Sequence, residues 1–316
     1  MLRAFAVALS CIALLAAGPV PNSAVAPIVI RVGVVANDDA ATPLLYAQSA
    51  GMFAKAGIDV HLELQTSGAA VTAAVMSGTF DVGKSSIIPL ISAHQHGLPV
   101  VIVAPASVWD GKSEFAALLV RADTAVKTGK DLEGKLIGVQ SLNDMNEIAT
   151  DAWVAQHGGD PATLRFVEIP MIAGVAALKA RRVDAAAFVQ PVLDSALTDG
   201  QLRPLAGAYG AIAPEFLFAA WFSSKAWVHD HPDTAREFAR ILAEAARYTN
   251  AHHHETAAMV AQFTSIPVNV IEHMSRTPSG TSLDPALLQA VIDAAVKYKA
   301  IPAGFPAADM IAAPAN

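Results

Sequence analysis

At 316 residues, with 53% hydrophobic and 16% charged residues, the chain is long enough for two ordinary domains with large cores. A formal net charge of −7 and the lack of any long basic run argue against nucleic acid as a partner. The one cysteine, Cys11, leaves no disulfide framework, no thiolate metal site and no cysteine nucleophile beyond the leader.

The chain opens as a secretory leader. Arg3, an apolar run from Ala4 to Gly18, then Pro19, Pro21 and small residues predict a signal peptide over residues 1–26. Cleavage is expected after Ala26 or after Ala24, the former disfavoured by Pro27. Cys11 sits within the leader behind Ala8-Leu9-Ser10, a poor sequence for lipid attachment. The mean hydropathy of +0.42 is high. No later stretch reaches the roughly 18–20 apolar residues of a membrane span, so an exported, soluble protein is expected.

Ile28 to Ala36 alternates and is rich in β-branched residues, which predicts a first strand, with Asn37-Asp38-Asp39 as the loop at its carboxyl end. A helix over Thr42–Ala56 stops at Gly57, a strand follows over Ile58–Leu64, and Thr66-Ser67-Gly68 turns into a helix over Val71–Ser77 that Gly78 ends. Phe80-Asp81-Val82 reads as a short strand, and Gly83-Lys84-Ser85-Ser86 as the lead into a helix at Ile87. A helix start after a strand presents unpaired N–H groups where open α/β sheets bind ligands. Val100–Ala104 is a further strand, with Ser107-Val108-Trp109-Asp110 beyond it.

After a strand at Ala116–Arg121, Lys135–Val139 starts a new strand–helix unit whose helix, to about His157, is capped by Asn143 or Asp144. Arg165–Ile169 and Ala185–Val189 are strands around a helix at Ile172–Ala180, the second ending in Gln190-Pro191. Phe216–Phe222 is a strand that crosses back, and from Pro232 the pattern is helical: Thr234–His253, Glu255–Phe263, Val268–Met274 and Pro285–Lys299. Alternating strands and helices give an α/β fold with mainly parallel sheets. A short echo aligns Ala74 with Ala177 and Asp81 with Asp184, as in two lobes built on one plan.

Gly78 to Ser85 spells G-x-x-x-x-G-K-[ST], but a phosphate-binding loop needs a bare loop after a strand, and here Phe80-Asp81-Val82 is the strand itself. His252-His253-His254 point about 100° apart on a helix and cannot converge on one metal ion. No G-x-S-x-G is present, and Asp38-Asp39 are either a carboxylate pair or caps of the helix that follows. No cofactor, metal or catalytic residue is expected, and the protein is read as a non-enzyme.

Four segments together resemble a known family: Tyr46–Val60 (YAQSAGMFAKAGIDV), Ser77–Gly83 (SGTFDVG), Leu132–Val139 (LEGKLIGV) and Val183–Ala186 (VDAA). Their order and spacing are similar to the periplasmic solute-binding proteins of nitrate/sulfonate/taurine-type ABC importers, a group that includes pyrimidine-precursor binders. Lys299-Ala300-Ile301 departs from the pattern by lacking its usual Gly. The resemblance implies a two-lobed periplasmic-binding-protein type II fold, each lobe a mainly parallel sheet flanked by helices, with two crossover strands at a hinge. Lobe 1 is expected to comprise residues 27–110 and 221–316, and lobe 2 residues 111–220.

The expected activity is capture of a small organic molecule between the lobes and its delivery, by a monomer, to an ABC permease in the inner membrane. Expected contacts from lobe 1 are Asp38, Asp39, Ser67, Lys84, Ser85, Ser86 and Trp109. Lobe 2 is expected to supply Leu142, Asn143, Asp144, Phe188 and Gln190, and the hinge Trp221. With Lys84 the only basic member, a neutral or nitrogen-bearing ligand such as a flat ring is favoured over a sulfonate, nitrate or carboxylate. The alternatives are an enzyme resembling pyrimidine-precursor synthases and a sensing module for a membrane receptor.

Overall fold

The computed structural model describes residues 26–36 and 38–312. The expected leader up to residue 25, Asn37 and residues 313–316 lie outside the described residues. The strands are β1 Ile28–Val35, β2 Ile58–Gln65, β3 Val82–Ser86, β4 Val100–Trp109, β5 Ala116–Arg121, β6 Leu136–Val139, β7 Arg165–Glu168, β8 Ala185–Val189, β9 Leu202–Ala206 and β10 Phe216–Ser224. The helices are α1 Thr42–Ser49, α2 Met52–Lys55, α3 Gly68–Met76, α4 Ile87–Gln95, α5 Met145–Gln156, α6 Met171–Lys179, α7 Val192–Leu197, α8 Lys225–Asp230, α9 Pro232–Ala251, α10 His253–Thr264, α11 Val268–His273 and α12 Pro285–Lys297. Among the described residues no helix is long and apolar enough to cross a membrane.

The strands form two five-stranded sheets, in the orders β2-β1-β3-β10-β4 and β7-β6-β8-β5-β9. Read position by position the two orders are the same plan. In each, three parallel strands (β2-β1-β3 and β7-β6-β8) are followed by an antiparallel strand, β10 or β5. The antiparallel strand of each sheet is the one that has just crossed from the other sheet. Layers of helices cover the sheets, so the inner parallel strands β3, β6 and β8 and the second half of β1 are buried on both faces, and apolar runs such as VGVV are the expected signature. Ile30, Val32 and Val34 are fully buried. The long α9 puts Ala235, Phe238, Ile241, Leu242, Ala245 and Ala246 on one stripe against the first sheet.

The sequence echo has a structural cause. Before β3, the Asp81 N–H donates to the Arg31 carbonyl (2.9 Å) and the Asp81 carboxylate accepts from the Arg31 N–H (2.8 Å). Before β8, the Asp184 N–H donates to the Leu136 carbonyl (2.8 Å) and its carboxylate accepts from the Leu136 N–H (3.0 Å). Each aspartate thus closes the first rung between a strand and its parallel neighbour. Asp184→Ala is expected to strand the Leu136 N–H and cost about 1–3 kcal/mol. Thermal unfolding checks this, and an unchanged Tm would remove the aspartate from the account of the sheet.

The helix preceding each aspartate ends alike. Thr79 N–H donates to the Ala74 carbonyl and Arg182 N–H to the Ala177 carbonyl, both 2.9 Å, across a left-handed residue. That residue is Gly78 (φ 76°) in one lobe and Arg181 (φ 60°) in the other, and Lys299 (φ 63°) takes the same place after α12. The missing glycine at Lys299 therefore leaves the cap intact at a steric cost. Arg181→Gly and Lys299→Gly are each expected to add about 0.5–1 kcal/mol. The exposed Arg181–Asp123 ion pair lost in the first is worth little. A fall in the urea midpoint of either variant would count against this.

Candidate functional site

The chain passes between the sheets twice, along the 110–115 and 207–215 segments, and an aromatic cluster packs where they meet. Trp109 lies 5.6 Å from Phe115 and 5.6 Å from Tyr209, ring centre to ring centre. Tyr209 lies 5.9 Å from Phe216 and 5.5 Å from Phe218. A continuous core runs through this hinge from Ile102 and Phe222 of the first sheet to Ile137 and Leu118 of the second. The carboxyl ends of the parallel strands, and the helix starts that follow them, form the candidate site in each lobe.

In the first lobe, Asp38 follows β1 and caps the 3-10 turn Asp39–Ala41, its Oδ1 accepting from Ala40 N–H at 3.0 Å. Its Oδ2 pairs with the ammonium of Lys84. Asp39 is largely, not fully, buried and accepts from the Thr277 N–H and Oγ1–H, both at 3.1 Å, while Arg276 Nε lies 3.5 Å from it. Burial first, and the neighbouring Asp38 next, push the Asp39 carboxyl up, against the pull of Arg276. Arg276 Nη2 donates to Thr42 Oγ1 at 2.9 Å. Ser67 caps α3, accepting from Ala70 N–H at 3.1 Å. Ser85 Oγ is buried with no partner among the described residues, against Gly68, where a Cβ would collide with it.

In the second lobe, Leu142 and Asn143 are exposed in the loop after β6, Asn143 in the left-handed conformation (φ 57°). Asp144 caps α5: its Oδ1 accepts from the N–H groups of Asn146 (2.8 Å) and Glu147 (3.0 Å). Glu147 in turn accepts from the Asn143 N–H at 2.8 Å. Burial raises the Asp144 carboxyl to about 6 despite these bonds. Gln190, nearly buried, precedes a cis proline, and its N–H donates to the Phe115 carbonyl at 2.8 Å.

Four expectations need correction. Gly83-Lys84-Ser85-Ser86 is strand, not a helix lead, because β10 pairs antiparallel along Val82–Ser86. Lys84 is consequently buried in mid-sheet, and Ser86 makes no side-chain cap for α4. Trp221 faces the first-lobe core, edge-on to Phe238 at 6.0 Å and 1% exposed. Phe188 is likewise buried, among Leu119, Leu178 and Leu193 behind the second sheet. Trp109 lies in the hinge cluster rather than on an open wall, its indole N–H buried with no partner among the described residues. The sequence reading also missed Arg276, Thr277, Asn146 and Tyr209. Arg276 and Thr277 come from a polar loop more than two hundred residues away from the Asp39 they hold.

Residues 39–256 match the family described as NMT1/THI5 like. The taurine-binding periplasmic protein of Escherichia coli (strain K12) is 27% identical over 215 residues, 67% of this chain and 64% of that protein. The 4-amino-5-hydroxymethyl-2-methylpyrimidine phosphate synthase of Schizosaccharomyces pombe is 27% identical over 129 residues, 41% of this chain and 36% of that protein. The chain thus spans less than two thirds of either relative. Among solved structures, the periplasmic aliphatic sulphonate binding protein SsuA from Escherichia coli superposes with a TM-score of 0.76 at 20% identity, covering 92% of this chain and 93% of that one. The periplasmic nitrate-binding protein NrtA from Synechocystis PCC 6803 gives 0.72 at 15% identity, covering 89% and 84%. These likenesses establish the fold as that of two-lobed periplasmic binding proteins.

Proposed function

Since the chain belongs to the NMT1/THI5-like family, we propose that it is a periplasmic solute-binding protein that captures a small organic molecule between its lobes and hands it to an ABC permease in the inner membrane. It would act as a monomer, by hinge closure rather than chemistry. The lobes would divide near residue 110 and again at β10, which begins at Phe216, so that the expected boundary at 220/221 falls inside a strand. The observation that carries the reading is the shared strand order of the two sheets, which gives each lobe a set of strand ends and helix starts beside one hinge. The name of the taurine-binding relative supports the periplasmic role.

The same geometry favours a neutral or nitrogen-bearing ligand. The two buried cations of the first lobe each already face a carboxylate, Lys84 with Asp38 and Arg276 with Asp39. The second lobe contributes Asp144, an acceptor, and no cation among its candidate residues. Hydrogen-bond donors on the ligand would find acceptors on both sides.

A thermal-shift and tryptophan-fluorescence screen tests this, using an aminopyrimidine, an alkylamine, taurine, an alkanesulfonate, nitrate and an aromatic carboxylate. The aminopyrimidine or the amine is expected to raise the Tm, with no product formed on incubation. Stabilisation by nitrate or the alkanesulfonate alone would replace this ligand class with an anion. Turnover of the pyrimidine would replace the binding role with an enzymatic one.

A further inference from the structure

A chain of hydrogen bonds leaves the candidate site and ends in the hinge. Asp144 Oδ2 accepts from Asn146 Nδ2 at 3.2 Å, and Asn146 Oδ1 accepts from the Tyr209 hydroxyl at 2.9 Å. Asn146 and Tyr209 are both buried, 7% and 3% exposed, so the bond between them does not compete with bulk water, while the Asn146–Asp144 bond lies half-buried toward the cleft end. The Tyr209 hydroxyl fixes the Asn146 amide with its oxygen toward the hinge, which leaves the amide nitrogen to face Asp144. Burial, and then the Asp144 carboxylate, hold the Tyr209 phenol protonated as the donor. The Tyr209 ring meets Trp109, Phe115, Phe216 and Phe218, which flank both crossings between the sheets.

On the acceptor side, Asp144 Oδ1 takes two backbone N–H groups, while among the described residues Oδ2 takes only the Asn146 amide. A carboxylate oxygen has room for a second donor. An N–H group of a ligand would therefore compete with, or polarise, the bond that leads to the hinge.

We propose that Asn146 and Tyr209 are positioning residues that tie Asp144 to the aromatic hinge, so that whatever occupies Asp144 from the cleft is felt at Trp109. The proposal rests on the binding reading for what reaches Asp144, and on the hydrogen bonds for the connection itself. A helix cap needs no link to a tyrosine in the 207–215 crossing: Asp144 would cap α5 through its two backbone bonds alone. The extra pair of bonds does something the cap does not require, which is to couple the position of the α5 start to the packing of the hinge.

The test uses no ligand, so its failure is separate from failure of the binding reading. The full chain is labelled with 5-fluorotryptophan and the fluorine resonances of Trp109, Trp153, Trp221 and Trp227 are assigned by single replacements. Asp144→Asn, which keeps an N-cap residue, alters the cleft end. It is expected to shift the Trp109 resonance and leave those of Trp221 and Trp227 in place. With Tyr209→Phe added, the Trp109 shift is expected to be lost. Asn146→Ala cuts the same chain at its middle and is expected to abolish the shift too, and it carries the test if Tyr209→Phe does not fold. A Trp109 resonance unmoved by Asp144→Asn, or one that moves equally with the chain cut, would overturn the proposal.

Discussion

Asp38→Asn is expected to destabilise the protein by about 3–5 kcal/mol, and Lys84→Met by much less. The asymmetry comes from where the two charges sit. The Lys84 side chain is 3% exposed, while that of Asp38 is 25% exposed at the end of β1. In β3, Lys84 stands opposite Trp221 of β10, whose ring packs into the first-lobe core. Removing Asp38 leaves an ammonium in that apolar setting with its counter-charge gone. Removing the lysine charge leaves a carboxylate that turns to water, with its cap on Ala40 intact. Methionine keeps an unbranched side chain of similar length in the strand. The double variant is expected to recover most of what Asp38→Asn loses. Urea unfolding of the four proteins reads this out as a double-mutant cycle. Equal losses from the two single variants, or no recovery in the double, would mean that Lys84 is held by something other than Asp38.

The same pair explains what the sequence could and could not convey. The strand runs of β1 and β6 are legible because strands buried on both faces must be continuously apolar. The echo around Asp81 and Asp184 is legible because each does the same backbone work in its own lobe. Lys84 is not, since a charged residue between Gly83 and two serines reads as loop. It becomes strand only because β10, more than a hundred residues later, pairs along it. Strand β9 was missed for a related reason. Pro204 and Arg203 interrupt its pattern, and both are tolerated because β9 is a sheet edge.

The aromatic residues misled in a different way. Trp109, Phe188 and Trp221 stand at segment ends, where cleft walls are found, but a strand's two faces differ by one residue in register. Which face of β8 or β10 is core depends on helices packed from elsewhere in the chain, and Trp221 falls on the side covered by α9. Asp39 was a candidate from its place after β1, yet its partners Arg276 and Thr277 lie in a Ser/Thr/Pro-rich loop that no local pattern connects to it. The cap of α5, by contrast, was narrowed to Asn143 or Asp144 from the sequence alone, because a short polar residue before an apolar helical run states its function locally, and the structure gives it to Asp144.

Asp151→Asn is expected to raise stability modestly at pH 5 and by clearly more at pH 8. Asp151 sits seven residues into α5 after Asp144, with Glu147 between them on the same side of the helix. It is 8% exposed, and its Oδ1 has no hydrogen-bond partner among the described residues. Burial first, and the Glu147 carboxylate next, raise the Asp151 carboxyl to about 7. Unfolded, the group ionises near 3.9. Between those values the folded chain holds a proton that the unfolded chain has released, so stability falls as the pH rises through that window. Below about 4 both states are protonated and the effect is absent; above about 7 it is complete. At roughly 1.4 kcal/mol for each tenfold difference in acidity, the loss by pH 8 is on the order of 2–4 kcal/mol. Asp144, raised to about 6, adds a loss of the same sign over a narrower window. The parent chain is therefore expected to unfold at a lower urea concentration at pH 8 than at pH 5, and Asp151→Asn to remove the larger part of that difference. A parent chain equally stable at both values, or a variant destabilised by the same amount at each, would show that the Asp151 carboxylate is satisfied when ionised and that the α5 start carries its charge at no cost to the fold.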